Sequence, residues 1–109
     1  MRNGVYRVRF ETPSQKGSGV IILNDGHFSG GDKTHYFSGH YSETDNRFQG
    51  AIRFKRHGEA CGFKQVVDRD EFLVHIDGIC SDTYAQVDAW VPDMPGERGR
   101  VTHMWLSDL

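Results

Sequence analysis

From Gly4 to Glu11 the chain alternates with a period of two: Tyr6, Val8 and Phe10 share one face, Arg7, Arg9 and Glu11 the other. That is the pattern of a strand with one dry side and one wet side. The same rhythm returns over about Arg47 to Arg56, where Phe48, Ile52 and Phe54 oppose Gln49, Arg53 and Lys55. Between them lie a strand apolar on both faces (Gly17 to Leu23), a short one (His27 to about Gly30) and one over roughly Thr34 to Tyr41, with Phe37 and Tyr41 in phase. Further along, Phe72 to Asp77 and Thr83 to Val91 predict strands, and Val101 to Leu106 predicts a closing strand in preference to a short helix. The run Phe63 to Val67 fits a strand as well as a loop.

Turn chemistry separates these runs. Asn24-Asp25-Gly26 supplies residues that tolerate positive φ, as a primed hairpin turn demands. Ser42 to Asn46 predicts the next turn, Gly78 and Ser81-Asp82 serve later ones, and Pro92 to Arg100 predicts an exposed, mobile loop. Gly30-Gly31-Asp32 predicts a bend or bulge with glycine at positive φ and the Asp32 carboxylate capping nearby amides. It neither opens a helix nor carries the lysine of a phosphate loop. About eight short strands with no helical period predict an all-β barrel or sandwich, and the sequential hairpins favour an up-and-down antiparallel barrel. Its inward positions are read as Tyr6, Val8, Phe10, Phe37, Phe48, Ile52, Phe54, Phe72, Val74, Ile76, and Trp90 or Trp105.

The 109 residues suit one domain, 1–109, able to fold without a disulfide staple. A net charge of −2 removes the simplest argument for a nucleic-acid partner. Basic stripes exist at Arg7 and Arg9 and at Arg53 and Lys55, but alternation sends the aromatics to the opposite face, where they could not stack bases beside those charges. No stretch approaches the ~20 apolar residues of a helical membrane span, and Met1 to Tyr6 enters a strand without the apolar core of a signal peptide. Cytoplasmic residence, with Cys61 and Cys80 as reduced thiols, is the expectation.

The segments Gly4-Val5-Tyr6, Gly17-Ser18-Gly19-Val20, Asn24-Asp25-Gly26, Gly30-Gly31-Asp32 and Phe37-Ser38-Gly39 together resemble the family of the Grl repressor, a negative regulator of type III secretion. The Gly-Gly-Asp run is the most specific mark, and the resemblance covers Met1 to about Phe54. It implies a lipocalin-like barrel, a homodimer, and regulation by contact with a transcriptional activator in place of DNA. The family's regulator engages its activator through a run of four acidic residues after the fourth strand; the matching positions here are Glu43, Thr44, Asp45 and Asn46, followed by Arg47. Two carboxylates present a weaker field to a basic partner than four.

Chemistry beyond binding finds little support. His35 with His40, or His57 with Cys61, have tolerable metal-ligand separations, but neither pair has a second pair to complete a site. His75 and Asp77 share a strand face and would need Cys61 or Cys80 beside them to form a nucleophilic set. Asp68, Asp70 and Glu71 around Arg69 read as a solvated turn. No catalytic residue, metal or cofactor is expected. The leading expectation is a regulatory module whose loop Glu43, Asp45, Asn46 and Arg47 meets a protein partner, a transcription regulator being the kind implied, and whose outward Val20 and Ile22 form a dimer stripe. The alternative is a carrier of a small apolar ligand in a cavity rimmed by Tyr6, Phe10, Phe54 and Trp90. A filled interior would favour the first reading and a roomy one the second.

Overall fold

The computed structural model describes residues 1–13, 15–58, 70–92, 94 and 98–109. Eight antiparallel strands follow one another: β1 (Gly4–Glu11), β2 (Lys16–Asn24), β3 (His27–Gly31), β4 (His35–Thr44), β5 (Arg47–Arg56), β6 (Glu71–Cys80), β7 (Tyr84–Trp90) and β8 (Arg98–Ser107). Each pairs with its sequence neighbours, and β8 returns to β1, closing the barrel. Among the described strands every one has a partner on both sides, so none forms the exposed edge that is the hazard of an open sheet. The candidate strand at Phe63 to Val67, with Cys61, Asp68 and Arg69, lies outside the described residues.

Register places the alternation as the sequence predicts. Tyr6 faces Ile21 and Trp105, Phe54 faces Phe37 and Phe72, and Ile52 faces Val74, all inward. Across these ladders an aromatic ring repeatedly meets a glycine: Phe10 with Gly17, Phe28 with Gly39, Phe37 with Gly30, Tyr41 with Gly50, and Phe48 with Gly78. At Gly17 and Gly30 the cross-strand ring lies over the space the missing side chain would take, whereas at Gly39 and Gly78 the glycine admits neighbouring backbone. Gly78 is thus a packing position inside β6, not the turn residue expected; the turn falls at Ser81 to Thr83, between β6 and β7.

Two hairpin turns need only two residues each. Asp25 and Gly26 have φ of 48° and 84°, and Asp45 and Asn46 have 51° and 66°, both of the primed type that matches strand twist. The second turn is therefore tighter than expected, and Ser42, Glu43 and Thr44 belong to β4. Gly30 and Gly31 are likewise regular members of β3 with no positive φ, which corrects the expected bulge. What Gly30 provides is close approach, since a Cβ there would stand 2.5 Å from the Val20 carbonyl oxygen. Asp32 caps as expected, its Oδ1 accepting the amides of Thr34 at 2.9 Å and His35 at 2.8 Å.

Candidate functional site

The two halves of the barrel are packed differently. Toward the turns β2–β3, β4–β5 and β6–β7 the interior is filled by Tyr6, Leu23, Phe28 and Phe48, each essentially without solvent exposure. The rings of Phe28, Tyr41 and Phe48 pack with centroids 5.0 to 5.8 Å apart. Residues Met1 to Asn3 fold over this end: the Arg2 amide donates to the Asp82 carbonyl at 2.7 Å, and the Arg2 guanidinium lies 4.8 Å from the centre of the Trp105 ring.

The opposite half holds a cavity of about 590 Å³. Small inward residues of β2, β7 and β8, Gly19, Ala89 and Gly99, leave it room opposite a wall of Phe37, Phe54 and Phe72. Those three rings stack in series with centroids 4.8 and 5.0 Å apart. Val8, Val74, Ile76 and Val101 continue the apolar surface, while Gln15, Lys16, Asp32, Lys33 and Arg98 contribute polar groups where the β1–β2 and β3–β4 loops meet it. Such a volume and lining are typical of small-molecule sites.

His103 forms the floor, where the cavity meets the filled half. It is 1% exposed, with Phe48 and Phe28 ring centroids 5.7 and 6.4 Å away. Its Nδ1 has no hydrogen-bond partner, an expense that buried polar groups normally avoid. Burial pushes its pKa down to about 4, so the imidazole is neutral at pH 7. His35, by contrast, is buried with its Nδ1 2.8 Å from the Thr34 hydroxyl.

Of the expected cavity residues, Phe10 and Phe54 line it. Tyr6 does not: it plugs the filled end, its hydroxyl donating to the Arg2 carbonyl, and burial with Asp82, Tyr41 and Glu43 nearby raises its pKa to about 12. Trp90 touches the cavity only at its rim, because Ala85, Val87 and Ala89 take the inward phase of β7. Its ring lies outside, stacked 5.9 Å from His75 and 4.9 Å beneath the Arg98 guanidinium, so Trp105 is the inward tryptophan.

The expected contact loop is also divided. Asp45 and Asn46 stand at the tip, but Glu43 lies in β4, where its carboxylate accepts the Cys80 thiol proton at 3.0 Å and meets the Met1 amine. Those bonds hold the Glu43 carboxyl below its ordinary range. Arg47 belongs to β5 and makes a forked ion pair with Asp77, at 3.0 and 2.7 Å. Val20 is 47% exposed and Ile22 half-buried, both outward as expected.

The weaker chemical alternatives come apart. Cys80 points inward while His75 and Asp77 point outward, so these three cannot form a nucleophilic set. Burial and the neighbouring Glu43 carboxylate raise the Cys80 thiol to about 11. His35 faces in and His40 out, the latter lying 4.7 Å from the His27 ring. Among the described residues no three His, Cys, Asp or Glu side chains gather as metal ligands would. Asp70 and Glu71 form exposed ion pairs with Arg56 and Arg53, both at 3.1 Å.

His103 is the candidate-site residue that sequence reasoning missed. Its signal was its phase, between Val101 and Trp105 on the dry face of the last strand. No family model matches the chain, and no curated protein matches it.

Proposed function

We propose that this barrel is a non-enzymatic binding protein that takes up a small, mainly apolar ligand. The observation that carries the reading is the cavity of about 590 Å³ walled by Phe37, Phe54 and Phe72. Close packing is the rule in protein interiors, and a solvent-open cavity of this size in a domain this small leaves its apolar lining without protein contacts. An apolar molecule restores those contacts and leaves water, which drives uptake without any charge. Native mass spectrometry of the purified protein tests this: a small molecule retained in the folded ion and released on denaturation supports it. Failure to retain any of a panel of added apolar compounds contradicts it.

A second reading, regulation by protein contact, draws on the outer surface. Val20, Arg7, Met104 and Tyr84 stand side by side across β2, β1, β8 and β7, with Val20, Met104 and Tyr84 each 40 to 47% exposed. Such a row suits a homodimer interface. The resemblance to the Grl repressor family adds a transcriptional activator as a partner, met at the Asp45-Asn46 turn. The same spectrum reports subunit number, and a dimer lost in Met104→Lys would support this surface. A concentration-independent monomer would remove it.

A further inference from the structure

We infer that His103 is the polar anchor of the cavity, recognising a neutral hydroxyl or carbonyl group at the buried end of an otherwise apolar ligand. The inference rests on the cavity being a ligand site.

Its basis is an unmet demand. The cross-strand neighbours of His103 are Val8 on β1 and Ala85 on β7, and the rings beside it are Phe28 and Phe48, none of which offers a side-chain hydrogen bond. The imidazole makes no hydrogen bond among the described residues and lines the cavity; its Nδ1 is shut in and unpartnered, so a ligand's polar group would meet the ring's other nitrogen. A site built only to exclude water would place an aliphatic residue here. An imidazole can donate from one nitrogen and accept at the other, so it pairs with either a hydroxyl or a carbonyl.

The group it recognises is uncharged. Among the described lining residues the cations are Lys16, Lys33 and Arg98, all at the rim. Arg98 and His103 are five residues apart on β8, about 17 Å along an extended strand. A carboxylate at the floor would lie beyond their reach, desolvated and facing a neutral ring.

Competition against a neutral fluorescent reporter, N-phenyl-1-naphthylamine, tests the anchor. Dodecan-1-ol, dodecanal, 1-chlorododecane and sodium dodecanoate are compared on wild type and on His103→Leu. The alcohol or the aldehyde should outcompete the chloroalkane by roughly threefold to tenfold more on wild type than on the variant, the worth of one net hydrogen bond. Taking the ratio of competitors within each protein removes any change in reporter affinity from the comparison. An equal ratio on both proteins, as when water satisfies the imidazole, overturns the anchor and leaves the cavity reading standing. Dodecanoate as the strongest competitor overturns the neutral class. Failure of the reporter and all four competitors to bind wild type removes the cavity reading itself. Should His103→Leu not fold, ¹⁵N spectra of the wild-type imidazole decide: a shift with dodecanol but not chlorododecane supports the anchor, and identical spectra contradict it.

Discussion

The ring of Phe10 occupies the space where Gly17, its partner across the β1–β2 ladder, would carry a side chain: a Cβ there would fall 2.2 Å from the ring's Cζ. Two residues along β2 the situation reverses, for a Cβ on Gly19 would meet nothing closer than 3.5 Å. Gly17→Ala should therefore cost about 1–3 kcal/mol through forced displacement of Phe10. Gly19→Ala should be neutral or stabilising by up to about 1 kcal/mol, because it restricts the unfolded chain without strain. Urea denaturation of the two variants checks the contrast.

Stability should fall with acid in a window set by His103. Burial lowers its pKa from 6.5 to about 4 in the folded state, so between those values the unfolded chain binds more protons and stability declines as pH drops. The full window is worth roughly 3 kcal/mol. Its neighbours Val8, Ala85, Phe28 and Phe48 carry no titratable group. Glu43, whose carboxyl is held below its ordinary 4.5, gives up its contribution only at lower pH. Denaturation of wild type and His103→Leu at pH 7 and pH 5 should show the loss in the first protein and its reduction in the second.

The two primed turns should respond oppositely to substitution. Gly26 at a φ of 84° has no strain to relieve, and Gly26→Ala should cost about 1–2 kcal/mol. Asn46 at 66° carries a side chain in the same region, and Asn46→Gly should be neutral or stabilising by up to about 1 kcal/mol. Thermal melts of both variants suffice.

Cys80 should resist alkylation in the native protein. The residue is 7% exposed, and its thiol donates to Glu43 and is raised to about 11, which leaves almost no nucleophilic thiolate at neutral pH. Iodoacetamide labelling read by peptide mass spectrometry should modify Cys80 only after denaturant is added.

Strand order was legible because period-two alternation and turn residues are local signals: β1 and β5 run between the same residues in sequence and structure. The site was less so. Phe10 and Phe54 could be placed by phase, but Tyr6 shares that phase and belongs to the filled half, since depth along the barrel depends on how all eight strands stagger. Trp90 was ambiguous because β7 buries the alanines on either side of Val87, residues too small to announce an inward face. Glu43 was read as loop because acidic and small residues resemble a turn, whereas a two-residue turn at Asp45 and Asn46 carries β4 past it.

Gly19→Leu tests the central claim most directly, because Gly19 lines the cavity and a Cβ there makes only ordinary contact with its neighbours. Fluorescence titration of N-phenyl-1-naphthylamine should give one saturable site per chain in wild type and at least tenfold weaker binding in this variant, with its circular dichroism unchanged. Equal binding by both proteins, or none by wild type, would contradict a ligand site inside the barrel.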